Sequence, residues 1–192
     1  MTTNSTAATA NPATVINGVD VDQVSGMIET VQADEAFAAM QFRVRNQWID
    51  GGLNRSSIKE VYAACQEDDT RDTAFTCDAD EPAIIAGADS APNPMEFVLH
   101  GLAGCLTTTM VYHAAVQGIG IDAIESELEG DMDVRGLFGL SDTVRKGYHH
   151  VRVKMRVRSE ADAETLKQLA MFSPVFDIVS NSLPVDLVIE KQ

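Results

Sequence analysis

The stretch NPMEFVLHGLAGCLTTTMVYHAAVQGIG, residues 93–120, decides the fold. Asn93 is a preferred helix cap, Pro94 suits the first helical position, and Glu96 stands where its carboxylate can reach back to the cap's backbone amide. Beyond that start, apolar residues from Phe97 to Ala115, among them Leu102, Leu106 and Met110, cover most of the circumference. The spacing therefore predicts a long helix buried on nearly all sides. Gly101, Ala103 and Gly104 leave space beside one cysteine, Cys105. On spacing alone Cys105 reads as packing before it reads as a reagent.

Upstream of this helix, QFRVRNQWIDGG (41–52) alternates Phe42, Val44 and Trp48 against Arg43, Arg45 and Gln47, and its DGG supplies turn chemistry. It predicts a strand entering a hairpin, with SSIKEVYAAC as the return and TAFTC (73–77) as a third strand. The acidic loop DADEPAIIAGADSAPNP (78–94) then leads into the helix, and its length marks it as more than a connection. Before the hairpin, Val24, Met27, Ile28 and Val31 recur at helical spacing.

Downstream, IESELEGDMDV puts Glu125, Glu127, Glu129, Asp131 and Asp133 on one strand face, while HVRVKMRVR sets out Arg152, Lys154, Arg156 and Arg158. If the two strands pair, acidic and basic faces meet as cross-strand partners, so both charge runs indicate register and not a ligand. A helix is expected over residues 163–172. A further short helix is expected with Ser173 as cap and Pro174 after it, and PVDLVIE (184–190) as a closing strand. The expected layout is a tail over 1–17 and a single domain over 18–192. Within it, 18–40 form the first helix, 41–92 the first hairpin and loop, 93–118 the cysteine helix, and 119–192 the second hairpin, helices and last strand. Strands in hairpins interspersed with helices make the class α+β.

Composition narrows the function classes. A net charge of -15 on 192 residues argues against duplex nucleic acid and anionic membrane surfaces, which both call for lysine and arginine. No apolar run reaches the length of a membrane span and the start lacks the regions of a signal peptide, so the expected location is cytoplasmic. Cys65, Cys77 and Cys105 are too few for a disulfide framework and form no CxxC pair. His100 lies about 140° around the helix from Cys105, so the two do not share a face as metal ligands would. Neither metal nor cofactor is expected.

The 93–120 stretch resembles the central-helix signature of the OsmC/Ohr family, the osmotically inducible and organic-hydroperoxide-resistance proteins, in its NPxE start and its cysteine after small residues. RGLFGLSDTVRKGY (135–148) and SPVFDIVSN (173–181) resemble segments of one OsmC-like branch, and QWIDGG resembles that branch's first hairpin. The resemblance spans residues 40–190. It implies antiparallel sheets packed around two central helices, and two chains intertwined as a homodimer with two sites between subunits. It also implies that Cys105 reduces organic hydroperoxides, helped by an arginine, a glutamate and a resolving cysteine.

Two positions depart from the pattern. Met95 stands where the family glutamate commonly lies, ten residues before the cysteine, with Glu96 one place later. Ten helical residues span about 15 Å, so neither reaches Cys105 along one straight helix. Ser173 occupies the resolving-cysteine position and cannot form a disulfide. Cys65, Cys77 or an external thiol reductant would then recycle Cys105. Arg55, just past the DGG turn, is the candidate activating arginine, with Arg43 and Arg45 as alternatives. The second reading is a non-catalytic dimer of the same fold that binds a small hydrophobic ligand, with Cys105 as a wall residue.

Overall fold

In the computed structural model, which describes residues 13–191, a small hairpin of β1 (Val15–Ile16) and β2 (Val19–Asp20) turns through Asn17 and Gly18, both at positive φ. The predicted tail is thus shorter at its C-terminal end than 1–17, and the rest of it, residues 1–12, lies outside the described residues. The Asn17 side chain donates to the Ile119 carbonyl (2.9 Å) and accepts from the Ile121 amide (2.8 Å), which pins this hairpin to the chain far downstream. Helix α1 (Val21–Ala33) follows, capped by Asp20, and a short 3-10 turn spans Glu35–Ala38.

The first sheet forms the predicted strands and hairpin. β3 (Gln41–Asp50) and β4 (Leu53–Ala63) pair antiparallel around Gly51, whose φ of 52° fits a tight hairpin turn. β5 (Gln66–Asp68) and β6 (Phe75–Ala79) pair with opposite ends of β4. No helix among the described residues packs extensively on this sheet. Phe42, Val44, Trp48 and Phe75 therefore remain exposed, Trp48 at 69%.

The core forms around α2 (Pro94–Val116), whose capping box is as expected: the Asn93 side chain accepts the Met95 amide at 2.7 Å, and Glu96 accepts the Asn93 amide at 2.8 Å. Next come β7 (Ile121–Asp131), a single turn α3 (Val134–Leu137), β8 (His150–Ser159), α4 (Ala163–Ala170) and α5 (Pro174–Ser180). Leu102, Leu106, Met110 and Ala114 of α2 pack on Leu166, Leu169 and Ala170 of α4, with β7, β8 and α5 around them. Each large side chain so buried contributes about 1.5–3 kcal/mol.

β7 and β8 pair in the register that joins the charge runs: Glu125 opposite Arg156, Glu127 opposite Lys154, Glu129 opposite Arg152. Ion pairs Arg152–Glu129 (3.0 Å), Arg152–Asp131 (2.5 Å) and Arg156–Glu127 (2.8 Å) follow from it.

Two expectations need correction. The cysteine helix is not buried on nearly all sides: α4, α5 and β7 cover one flank, while Glu96, His100 and Tyr112 face outward and Val98 and Val116 are partly bare. Residues 184–190 form no strand, and no strand among the described residues pairs with them. Val185, Leu187, Val188 and Ile189 stand in the open, Ile189 at 83% exposure. Among the described residues no helix is long and apolar enough to cross a membrane.

Candidate functional site

Cys105 sits in the middle of α2, half-buried, where the start of α5 meets that helix. Thr109, one turn further on, brings its hydroxyl to 3.9 Å from Sγ. Ser173 is 1% exposed and caps α5, its Oγ accepting the Phe176 amide at 3.1 Å. Burial pushes the Cys105 thiol up, but the Ser173 hydroxyl, the Val175 backbone and the Thr109 hydroxyl outweigh it and leave the thiol below its ordinary value. The groups acting on the sulfur are all uncharged. A thiolate here rests on hydrogen bonds alone.

The other predicted residues lie elsewhere on this chain. Glu96 is engaged as the capping-box partner of Asn93. Met95 is partly buried and its carbonyl accepts the Tyr148 hydroxyl at 2.9 Å. Arg55, on β4, grips Asp78 of β6 with two bonds, at 2.6 and 2.7 Å. Arg43 holds Glu67 and Arg45 holds Glu60. Cys77 is partly buried on β6, and Cys65 is exposed in the β4–β5 turn; all three cysteines are free thiols. The structure brings Ser173 to Cys105 and leaves Arg55, Glu96, Cys65 and Cys77 apart from it within one chain.

Two positioning features were not read from the sequence. Asp80 is 1% exposed, and its carboxylate accepts the Ser90 amide (3.0 Å), the Ser90 hydroxyl (2.7 Å) and the Glu81 amide (2.8 Å). The Ser90 amide, more than any other group, holds that carboxyl below the usual carboxylate range. The loop it closes requires Gly87, since a Cβ there would lie 1.7 Å from the Glu81 carbonyl oxygen. Glu81 in turn accepts the Asn93 side-chain amide, so the loop is fastened to the cap of α2. The second feature is Tyr148, whose ring lies over Gly130: a Cβ at residue 130 would come within 2.5 Å of it. A turn signal such as Asp80–Ser90 or a lone Tyr gives no distance across the fold, which is why neither was legible.

Two cavities lie along α2. One, of about 560 Å³, lies between the first half of α2 and α5, walled by Met95, Val98 and Leu102, with Arg145, His149 and His150 lining it as well. The other, of about 740 Å³, is predominantly apolar, walled by Leu106, Met110, Met155 and Leu166. Val153 and Phe176 line both. Cys105 lines neither, although Val98, seven residues earlier, lies on the same line of the helix. Among the described residues no three acidic, histidine or cysteine side chains are grouped to hold a metal.

Residues 87–188 match the family of OsmC-like proteins. An organic hydroperoxide resistance protein OsmC from Legionella pneumophila shares 17% identity, over 72% of this chain and 88% of its own, with a TM-score of 0.50. An OsmC-like protein of unknown function from Vibrio cholerae shares 10%, over 74% and 93%, with a TM-score of 0.53. At these identities the likeness is one of fold. No curated protein matches the chain in sequence.

Proposed function

The chain belongs to the family of OsmC-like proteins, and on that premise we propose that it reduces organic hydroperoxides through Cys105, with an external thiol as reductant. The family, together with the likeness to the organic hydroperoxide resistance protein of Legionella pneumophila, supports a role in the response to oxidative stress. The observation that carries the reading is the setting of Cys105: a half-buried thiol whose hydrogen-bond partners favour its thiolate in spite of burial.

The Cys105 thiolate attacks the terminal oxygen of ROOH and the O–O bond breaks. The sulfur becomes a sulfenic acid, and the alkoxide leaves and takes a proton to give ROH. An external thiol attacks the sulfenic sulfur, releasing water and leaving a mixed disulfide. A second thiol then frees Cys105 and departs with the first as a disulfide. Ser173 cannot perform the second step, and Cys65 and Cys77 stand apart from Cys105 in this chain, which is why the reductant is external.

The working unit in this reading is a homodimer. The bare apolar face of the first sheet, the open outer flank of α2 and the unpaired segment 184–190 each want a covering surface, and a second copy offers all three. In that assembly Arg55 of one copy would supply the positive charge that Cys105 lacks in its own chain. The mainly apolar cavity of about 740 Å³ favours a second reading, in which the dimer binds a small hydrophobic ligand without turnover. Peroxide consumption with excess dithiol, compared between native protein and Cys105→Ser, separates the two.

A further inference from the structure

Arg145 is the one arginine among the described residues with neither an acidic partner nor an aromatic ring beneath it. Arg43, Arg45, Arg55, Arg135, Arg152, Arg156 and Arg158 each hold a carboxylate, and Arg71 lies over Phe75 at 5.4 Å. In a chain with 29 acidic residues against 14 lysines and arginines, a guanidinium left without a carboxylate is out of keeping with the rest of the surface. Arg145 lines the smaller cavity, together with His149 and His150, while Met95, Val98, Leu102 and Val179 give that cavity an apolar body.

The geometry points to a binding site for a free long-chain monocarboxylate. The carboxylate sits on the Arg145 guanidinium, whose planar fork matches it in two bonds. The chain runs along Met95, Val98 and Leu102. Phe176 and Val153 line both cavities, and in this proposal the chain's far end reaches past them toward the larger apolar one. Arg145 is the one arginine or lysine lining the smaller cavity, which matches a head of single charge, and a cavity of this size accepts a small molecule. The proposal rests on the ligand-binding side of the reading above and not on the thiol chemistry, since Cys105 lines neither cavity.

Titration of the full-length protein with cis-parinaric acid, below its micelle concentration, tests it. Saturable fluorescence enhancement that palmitate displaces is expected. Arg145→Gln weakens binding about tenfold, the order expected for loss of one charge-assisted interaction, and Arg71→Gln leaves it unchanged. Val98→Trp, at a partly exposed position that spares the buried core, fills the body and abolishes binding, with circular dichroism verifying the fold and sedimentation velocity an unchanged assembly. Cys105→Ser binds like the native protein, whether or not it consumes peroxide. Unsaturable binding, equal affinity in Arg145→Gln, or loss of binding in Cys105→Ser overturns the proposal.

Discussion

Ser173 stands against Cys105 where α5 meets α2: its oxygen accepts the Phe176 amide at 3.1 Å, and its hydroxyl favours the thiolate of Cys105. One side chain thus caps a helix and tunes a sulfur. Ser173→Ala removes both effects. In a Cys65→Ser, Cys77→Ser background, the pH profile of iodoacetamide alkylation should move to higher pH, because the hydroxyl that favoured the charged form is gone. Loss of the cap should also cost about 1 kcal/mol. An unmoved profile would show that Ser173 does not act on the thiol.

Ser173→Cys places a second thiol beside Cys105. One equivalent of cumene hydroperoxide, without added reductant, should then consume both thiols and leave an intramolecular disulfide, detected by mass spectrometry after proteolysis. The native protein under the same treatment should yield a sulfenic acid that dimedone traps. Dimedone adducts of equal yield in both proteins would mean that the two positions are not within bonding reach.

Asp80 carries a pH dependence. Its folded carboxyl lies below the ordinary range, so its contribution to stability is present above the unfolded value and is lost as pH falls through the lowered one. Asp80→Asn should remove that acid-side component, lower Tm at neutral pH, and speed proteolysis within the loop from Asp80 to Pro92. Identical acid unfolding curves for the two proteins would count against the clamp.

Gly130→Ala drives a methyl group into the Tyr148 ring, and the ring must shift with its bond to the Met95 carbonyl. A fall in Tm is expected, larger than for Tyr148→Phe, which loses only a hydrogen bond of about 1 kcal/mol. Equal or smaller loss in Gly130→Ala would mean that the ring has room to move.

Deleting residues 182–192 removes Val185, Leu187 and Ile189, exposed in the single chain. If a second copy covers them, sedimentation velocity should show the native protein as a dimer and the truncated one shifted toward monomer at equal concentration. A truncated protein that dimerises as tightly as the native one removes this segment from the interface.

The parts of the fold that local chemistry dictates were legible in the sequence. The Asn93–Glu96 capping box, the Ser173–Pro174 helix start and the opposed charges of β7 and β8 all depend on neighbours a few residues away or on strict period-two alternation. Apolar periodicity along the outer flank of α2 and over 184–190 reports that a covering surface is wanted, not where it comes from. Of the site, Cys105 and Ser173 were named from the resemblance, but their meeting is a tertiary contact. The Tyr148–Met95 bond and the unpaired state of Arg145 depend on distances that no spacing encodes.

The central claim is that Cys105 turns over hydroperoxide. Consumption of cumene hydroperoxide with excess dithiothreitol, measured side by side for native protein and Cys105→Ser, tests it most directly. Turnover that continues past one equivalent in the native protein and falls to the background rate in the variant is the predicted result. Equal rates in the two proteins, or no consumption beyond background by the native one, would contradict it.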